Sequence, residues 1–313
     1  MSIDGILSIN KPEGMTSFGV VARLKCLTGE KHIGHAGTLD PIATGVLPIC
    51  FGRGTRVTQF IMHSSKTYLA EIELGTATDT FDREGTITHR GDPATTTKTQ
   101  VKKTLASFYG TIQQVPPAYS ALRHQGKRCY ELARAGVPIQ LTPRQVHISN
   151  IELIDYKMPV VTIKVECSKG TYIRSLAHDL GQKLGCYANL RNLTRVRYGD
   201  FCLEGALSIA QFEEAVDQGT WQDHLYPIDS PLLNFKAAIV DKNGEWAISN
   251  GQSLQLEEKH LSSDEYCRAY NQEGQLIAIL KFIADHNLWH PEKVFRLCNF
   301  SDPEHGESLT ANI

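Results

Sequence analysis

From Lys66 to Leu74 apolar and polar side chains alternate, with Tyr68, Ala70, Ile72 and Leu74 on one side and Glu71 and Glu73 on the other; this predicts a half-buried strand. Val161, Ile163, Val165 and Cys167 repeat the alternation. From Thr171 the spacing turns helical, and Ile173, Leu176, Ala177, Leu180 and Leu184 form one stripe that Gly185 can close. Upstream, Thr16 or Ser17 can cap a helix that buries Val20, Val21, Leu24 and Leu27, turns Arg23 and Lys25 outward and ends at Gly29. Further helices are predicted over residues 98–108 and 208–216, the latter with Ser208 and Gln211 at capping-box spacing. Strands and helices mix without a regular βαβ rhythm, which predicts an α+β fold rather than a doubly wound sheet. The composition shifts near residues 227–231. Beyond it, short strand-like runs at 236–240 and 276–280 between Gly and polar residues predict a small β-rich domain.

With 313 residues, 41% hydrophobic and 21% charged, the chain is long and apolar enough for a sizeable core, and disordered or fibrous classes are excluded. Two domains are expected. The longest nearly apolar stretches, residues 45–51 and 276–280, are far too short to cross a bilayer, and Asp4 stands where a secretory signal carries positive charge; a cytoplasmic protein is expected. The eight cysteines never come closer than sixteen positions, so no Cys-x-x-Cys motif can be written, and reduced, mostly buried thiols are expected.

Net charge, 32 basic minus 34 acidic residues, is −2, but the sum hides an asymmetry. Residues 101–200 hold 15 basic and 6 acidic side chains, and residues 201–313 hold 7 and 18. A cationic middle suits a polyanion such as RNA, because neutralising phosphates releases counterions; a solvated basic face is the alternative.

Candidate chemistry concentrates at Gly34-His35-Ala36-Gly37-Thr38-Leu39-Asp40-Pro41. Two glycines let the backbone approach a ligand, and Pro41 biases Asp40 toward an extended conformation that directs its carboxylate. By themselves these residues would equally make a turn with a satisfied histidine. His32, His35 and Asp40 permit a metal-site reading, but no further acid or histidine stands at ligand spacing nearby. Arg174 falls in the first turn of the predicted helix, where the macrodipole disfavours a cation, so an anion is expected beside it. If that anion is Asp40, the pair would keep the carboxylate deprotonated for nucleophilic or general-base work. Tyr68 and Tyr172 are either core packing or stacking platforms for a base.

Five blocks, Lys11-Pro12-x-Gly14-x-Thr16-Ser17, Gly34-His35-x-Gly37-Thr38-Leu39-Asp40-Pro41-x-Ala43-Thr44-Gly45, Lys66-x-Tyr68, Pro116-Pro117-x-x-Ser120-Ala121 and Lys169-Gly170-Thr171-Tyr172-Ile173-Arg174, resemble in order the blocks of TruB-type tRNA pseudouridine synthases. The resemblance covers about residues 3–230. It implies isomerisation of uridine 55 in the tRNA T loop by base flipping, without a cofactor or metal and with no obligatory protein partner. It also implies an α+β catalytic domain with a mixed, largely antiparallel pseudouridine-synthase sheet and flanking helices over residues 1–233, carrying an RNA-gripping insertion at about 113–144, and a PUA-like RNA-binding domain over 234–313. Position by position, it makes Asp40 the catalytic aspartate, Arg174 its partner and Tyr68 the ring stacked on the flipped uracil. His35, Tyr172, Leu193, Lys66 and Lys11 become substrate-binding residues, as do Arg123, Lys127 and Arg128 in the insertion. Thr194 stands where the family usually has arginine, and Asn189 where it often has histidine.

Two other functions fit the same residues: a non-catalytic tRNA-binding or folding factor, and a metal-dependent nucleobase hydrolase or deaminase built on His32 and His35. The latter lacks the His-x-Glu and Pro-Cys-x-x-Cys signature of zinc deaminases.

Overall fold

A computed structural model describes residues 3–120, 122–124, 126–138, 141–256 and 265–295, with Arg123, His124, Arg128 and Arg134 described in backbone only. The chain forms two compact units, Met1–Pro231 and Leu232–Ile313. In chain order the first holds β1 (Gly5–Lys11), α1 (Ser17–Thr28), β2 (Ile33–His35), β3 (Ala43–Phe51), α2 (Thr58–His63), β4 (Lys66–Leu74), β5 (Thr76–Thr78), β6 (Ile87–Arg90) and α3 (Lys98–Ala106). It continues with β7 (Gly110–Gln114), β8 (Arg123–His124), β9 (Lys127–Arg128), α4 (Cys129–Arg134), β10 (Arg144–Lys157), β11 (Val160–Cys167), α5 (Ile173–Leu184), β12 (Ala188–Tyr198), β13 (Phe201–Cys202) and α6 (Ile209–Asp217).

A nine-stranded sheet organises this unit in the order β1-β3-β12-β4-β11-β10-β7, with β2 beside β3 and β13 beside β12. Every pairing is antiparallel except β3 with β12, so the sheet is mixed and largely antiparallel, as the resemblance implies. The alternation in β4 and β11 buries Tyr68, Ala70, Ile72, Leu74, Val161, Ile163, Val165 and Cys167 in one cluster, together with the Ile173, Leu176, Ala177 and Leu180 stripe of α5. A second cluster joins Val20, Val21 and Leu24 of α1 to Leu7, Ile9, Leu47, Ile49, Phe51 and Phe212.

Helix ends follow their capping chemistry. Thr16 caps α1 by accepting from the Gly19 amide, and Gly29 closes it in the left-handed region at φ 72°. Ser208 and Gln211 form the expected box at α6, and Thr97 with Gln100 forms another at α3. α5 starts later than the sequence suggests: Tyr172 is its N-cap, because the Thr171 hydroxyl donates to the Ser168 carbonyl at 3.0 Å instead of capping.

Periodicity does not announce β12, because this central strand buries Asn189 and Arg195 among its apolar residues. β3 demands a glycine where it meets β12. Gly45 has φ 102°, and a Cβ there would stand 2.3 Å from the Arg195 carbonyl oxygen. Gly45→Ala is therefore expected to cost about 2–4 kcal/mol through backbone strain and overpacking. Urea unfolding checks this, and a cost below about 0.5 kcal/mol would contradict the close approach.

The second unit has a four-stranded sheet, β14 (Lys236–Ile239), β15 (Tyr266–Tyr270), β16 (Leu276–Ile283) and β17 (Leu288–Val294), in sequence order, with α7 (Lys242–Ser249) following β14 in the chain. Its core gathers Val240, Ile248, Cys267, Ala269, Leu280, Phe282 and Trp289. The strand-like runs of this region do not foretell the helix. Residues 257–264 and 296–313 of the expected second domain lie outside the described residues, as does Ala121 of the fourth motif. Among the described residues no helix is long and apolar enough to cross a membrane.

Candidate active site

The loop carrying Asp40 is held from both sides before the carboxylate is considered. Ser17 at the start of α1 accepts from the Leu39 amide at 2.8 Å and donates to the Leu39 carbonyl at 3.1 Å. Gly14 N–H donates to the Pro41 carbonyl at 2.8 Å, and Ala43 N–H to the Asp40 carbonyl at 3.0 Å. These bonds fix both flanks, leaving the Asp40 side chain 38% exposed.

The anion expected at the start of α5 is present twice. Arg174, whose side chain is only 5% exposed, places Nε 2.9 Å from Asp40 Oδ2 and Nη1 3.4 Å from Asp82 Oδ2. The Nε contact is an ion pair rather than an aligned hydrogen bond. The guanidinium also donates from Nη1 to the Thr80 carbonyl at 3.2 Å and from Nη2 to the Tyr119 carbonyl at 2.9 Å. Two carboxylates and two carbonyls offset both the desolvation of the cation and its unfavourable place in the first helical turn. Sequence reasoning missed Asp82. It lies 92 positions from Arg174 and no local pattern marks it.

The N-terminus of α5 is clamped as well. The Gln114 side chain accepts from Tyr172 N–H at 2.8 Å and donates to the Tyr172 carbonyl at 3.0 Å, and Ser175 Oγ donates to the Val115 carbonyl at 2.7 Å. The end of β7 thereby fixes the helix that presents Arg174.

Two cavities share the Asp40–Arg174 wall. The smaller, about 320 Å³, is lined by Asp40, Tyr68, Tyr172, Leu193 and Lys66 among others, and lies within the roughly 300–1,000 Å³ of small-molecule sites. The larger, about 840 Å³, meets His35, Phe18, Asp82 and Tyr130 on the other side. Burial pushes the Tyr68 and Tyr172 phenols above the ordinary tyrosine range, so both rings stay neutral at physiological pH. His35 Nδ1 is buried without a hydrogen-bond partner, and burial, helped by Arg195, lowers its pKa from the ordinary histidine value.

Both lysines expected at the substrate are also tied to backbone carbonyls. Lys11, expected to touch substrate, is 0% exposed: its ammonium donates to the carbonyls of Pro12 at 2.8 Å, Met15 at 2.6 Å and Pro41 at 3.3 Å. Burial lowers its pKa to about 8, with Asp40 and Glu13 pulling it back upward. Three carbonyls in a tight turn need a donor, and Lys11 supplies it; the residue braces the loop. Lys66 is 7% exposed and donates to the carbonyls of Met62 at 2.8 Å and Ser64 at 2.6 Å, although it also lines the smaller cavity.

Arg195, next to the departure at Thr194, is another brace. It donates to the Val46 carbonyl at 2.7 Å and the Gly37 carbonyl at 3.1 Å and lies over the Tyr198 ring. Thr194 meets the Thr44 hydroxyl at 2.9 Å, and Asn189 donates to Thr76 Oγ1 at 2.8 Å while its Oδ1 is buried without a partner.

The expected insertion lies between β7 and β10, whose ends pair Gln114 with Arg144, and contains β8, β9 and α4. Its base reaches the site through Tyr119, Ser120 and Leu122, while Lys127 is exposed away from these linings. Arg123 and Arg128 have only their backbones described, in β8 and β9. Among the described residues no three His, Cys, Asp or Glu side chains are grouped to hold a metal, so His32, His35 and Asp40 do not form such a cluster.

The TruB family pseudouridylate synthase N-terminal domain matches residues 25–173, and the tRNA pseudouridylate synthase B C-terminal domain matches residues 174–233. A tRNA pseudouridine synthase B of Dehalococcoides mccartyi strain CBDB1 is 44% identical over 293 residues, covering 94% of this chain and 97% of that protein. One from Clostridium kluyveri is 41% identical over 281 residues, covering 88% and 95%. A chain of a solved Cbf5–Nop10–Gar1 complex matches with a TM-score of 0.73 at 24% identity, over 93% of this chain and 85% of its own, which is a likeness of fold.

Proposed function

This chain belongs to the TruB family of pseudouridylate synthases, and on that premise we propose that it isomerises uridine 55 in the T loop of tRNA to pseudouridine, with Asp40 as nucleophile. The observation that carries the reading is the Asp40–Arg174 pair in the wall shared by the two cavities.

The reaction breaks the N1–C1′ bond, turns the uracil, joins C5 to C1′, releases the proton from C5 and puts a proton on N1. Atoms and electrons balance without an oxidant, reductant or co-substrate. Inside a helical stem or stacked loop the target is out of reach, so the nucleotide swings out, at a cost of a few kcal/mol. Stacking on the Tyr68 ring, worth about 1–3 kcal/mol per base, offsets much of that cost, with Leu193 and Tyr172 completing the slot. Asp40 then attacks the nucleotide, at the base or at the sugar, while Arg174 holds the carboxylate in place. His35 lines the other cavity and supports the extruded loop. Arg123, Lys127 and Arg128 of the insertion take backbone phosphates, and the second unit serves as a PUA-like RNA-binding domain. Cytoplasmic tRNA, met through its T arm, is the partner.

A T-arm RNA carrying tritium at C5 of the target uridine tests the reaction. Incubation without added metal or nucleotide is expected to release tritium with formation of pseudouridine. Retention of the label, or liberation of free uracil, would contradict isomerisation.

A further inference from the structure

We propose that the ring stack between Phe81 and His178 positions the Arg174 guanidinium, which makes these two side chains positioning residues for the reaction at Asp40. The inference rests on the function proposed above for its catalytic consequence, but the geometry behind it is independent of the substrate.

Arg174 is gripped by one short turn at two points, the Thr80 carbonyl at 3.2 Å and the Asp82 carboxylate at 3.4 Å. Phe81 lies between them with φ 64°, in the left-handed region that a bulky side chain rarely enters. Such a conformation is strained and persists only where its surroundings over-determine it.

Four restraints do so here. Phe81 N–H donates to the Thr78 carbonyl at 3.3 Å, and the Phe81 carbonyl accepts from Leu190 N–H at 2.9 Å. Thr78 Oγ1 donates to the Asp82 carbonyl at 2.6 Å. The fourth is the side chain itself: the Phe81 ring lies on the His178 imidazole with centroids 4.0 Å apart and planes 18° from parallel. The imidazole presents a flat face here: its Nδ1 is buried without a hydrogen-bond partner, and its Nε2 meets the Gln182 side-chain nitrogen at 3.4 Å.

His178 lies four residues after Arg174 in α5, one turn along the same face. A single helix therefore carries both the cation and the ring that clamps the turn gripping that cation. Without the stack the turn keeps its bonds to β12 and the guanidinium's own bonds to Thr80 and Asp82, but loses the ring contact that presses it on α5, and the Thr80 and Asp82 oxygens can shift against the guanidinium. Misplacement by about 1 Å is enough to cost on the order of 100-fold in rate.

The test uses Phe81→Gly, which keeps the left-handed backbone accessible while deleting the ring, His178→Ala, and His178→Phe, which restores a flat partner. In steady-state tritium release, Phe81→Gly and His178→Ala are expected to lower kcat on the order of 10–100-fold with KM within about twofold of wild type. His178→Phe is expected to recover most of the loss. A second readout needs no substrate: the 1H–15N signal of Arg174 Nε, assigned by its disappearance in Arg174→Lys, is expected to be sharp and slowly exchanging in wild type and to exchange faster in the two ring-deleted variants. Folded variants that keep both the wild-type kcat and the protected arginine signal would overturn the positioning role. A wild-type protein that releases no tritium would count against the proposed reaction, and the arginine signal alone would then decide the positioning.

Discussion

Asp40→Asn is expected to lower single-turnover tritium release on the order of 10⁴-fold or more while leaving T-arm RNA binding intact. The substitution keeps the shape and removes the charge, so it deletes the proposed nucleophile without emptying the site. Arg174 retains the Asp82 carboxylate and the Thr80 and Tyr119 carbonyls, and the loop keeps its Ser17, Gly14 and Ala43 hydrogen bonds, so the fold does not depend on the Asp40 charge. Filter binding of the RNA separates the two effects. Full activity in the variant would show that another group attacks, and loss of binding would show that Asp40 grips rather than reacts.

Arg174→Met is expected to do more damage, because it affects both stability and activity. Removal of the guanidinium leaves Asp82, whose side chain is 7% exposed, as a buried acid without its cation, and strands two carbonyls. Deleting one member of a buried pair costs about 3–5 kcal/mol. The carboxylate of Asp40 also loses its only described ion-pair partner, and a fall in kcat of about 10²–10³-fold is expected from the loss of a preorganised electrostatic contact. Arg174→Lys restores little, since one ammonium cannot reach two carboxylates and two carbonyls that converge on a planar fork. Urea unfolding and single-turnover release measure the two parts. A variant with wild-type stability would contradict the burial and pairing of this side chain.

The parts of the fold that can be read from the sequence are those where a single neighbour imposes the period. β4, β11 and α5 each turn one face to the same apolar cluster, and their alternation or helical stripe records it. β12 does not, because it lies between β3 and β4 and buries Asn189 and Arg195 for bonds that link it to strands and loops far away. At the candidate site, the misplaced charge in the first turn of α5 points to an anion, and the structure supplies Asp40. It cannot reveal Asp82, whose approach is set by a turn with a left-handed phenylalanine, a conformation no sequence pattern betrays. Nor does any local pattern reveal that Lys11, at the end of β1, meets a backbone turn that has carbonyls to satisfy.

The proposed reaction requires a target nucleotide to leave its loop and meet Asp40 in the tyrosine-walled cavity. A crystal structure of Asp40→Asn bound to T-arm RNA tests this most directly. Uridine 55 is expected out of its stack, with its ring on Tyr68 and its C1′ or C6 within about 3.5 Å of the amide oxygen introduced by the substitution, as a near-attack arrangement requires. A bound RNA whose uridine stays stacked in the loop, or enters the protein away from the substituted side chain, would contradict it.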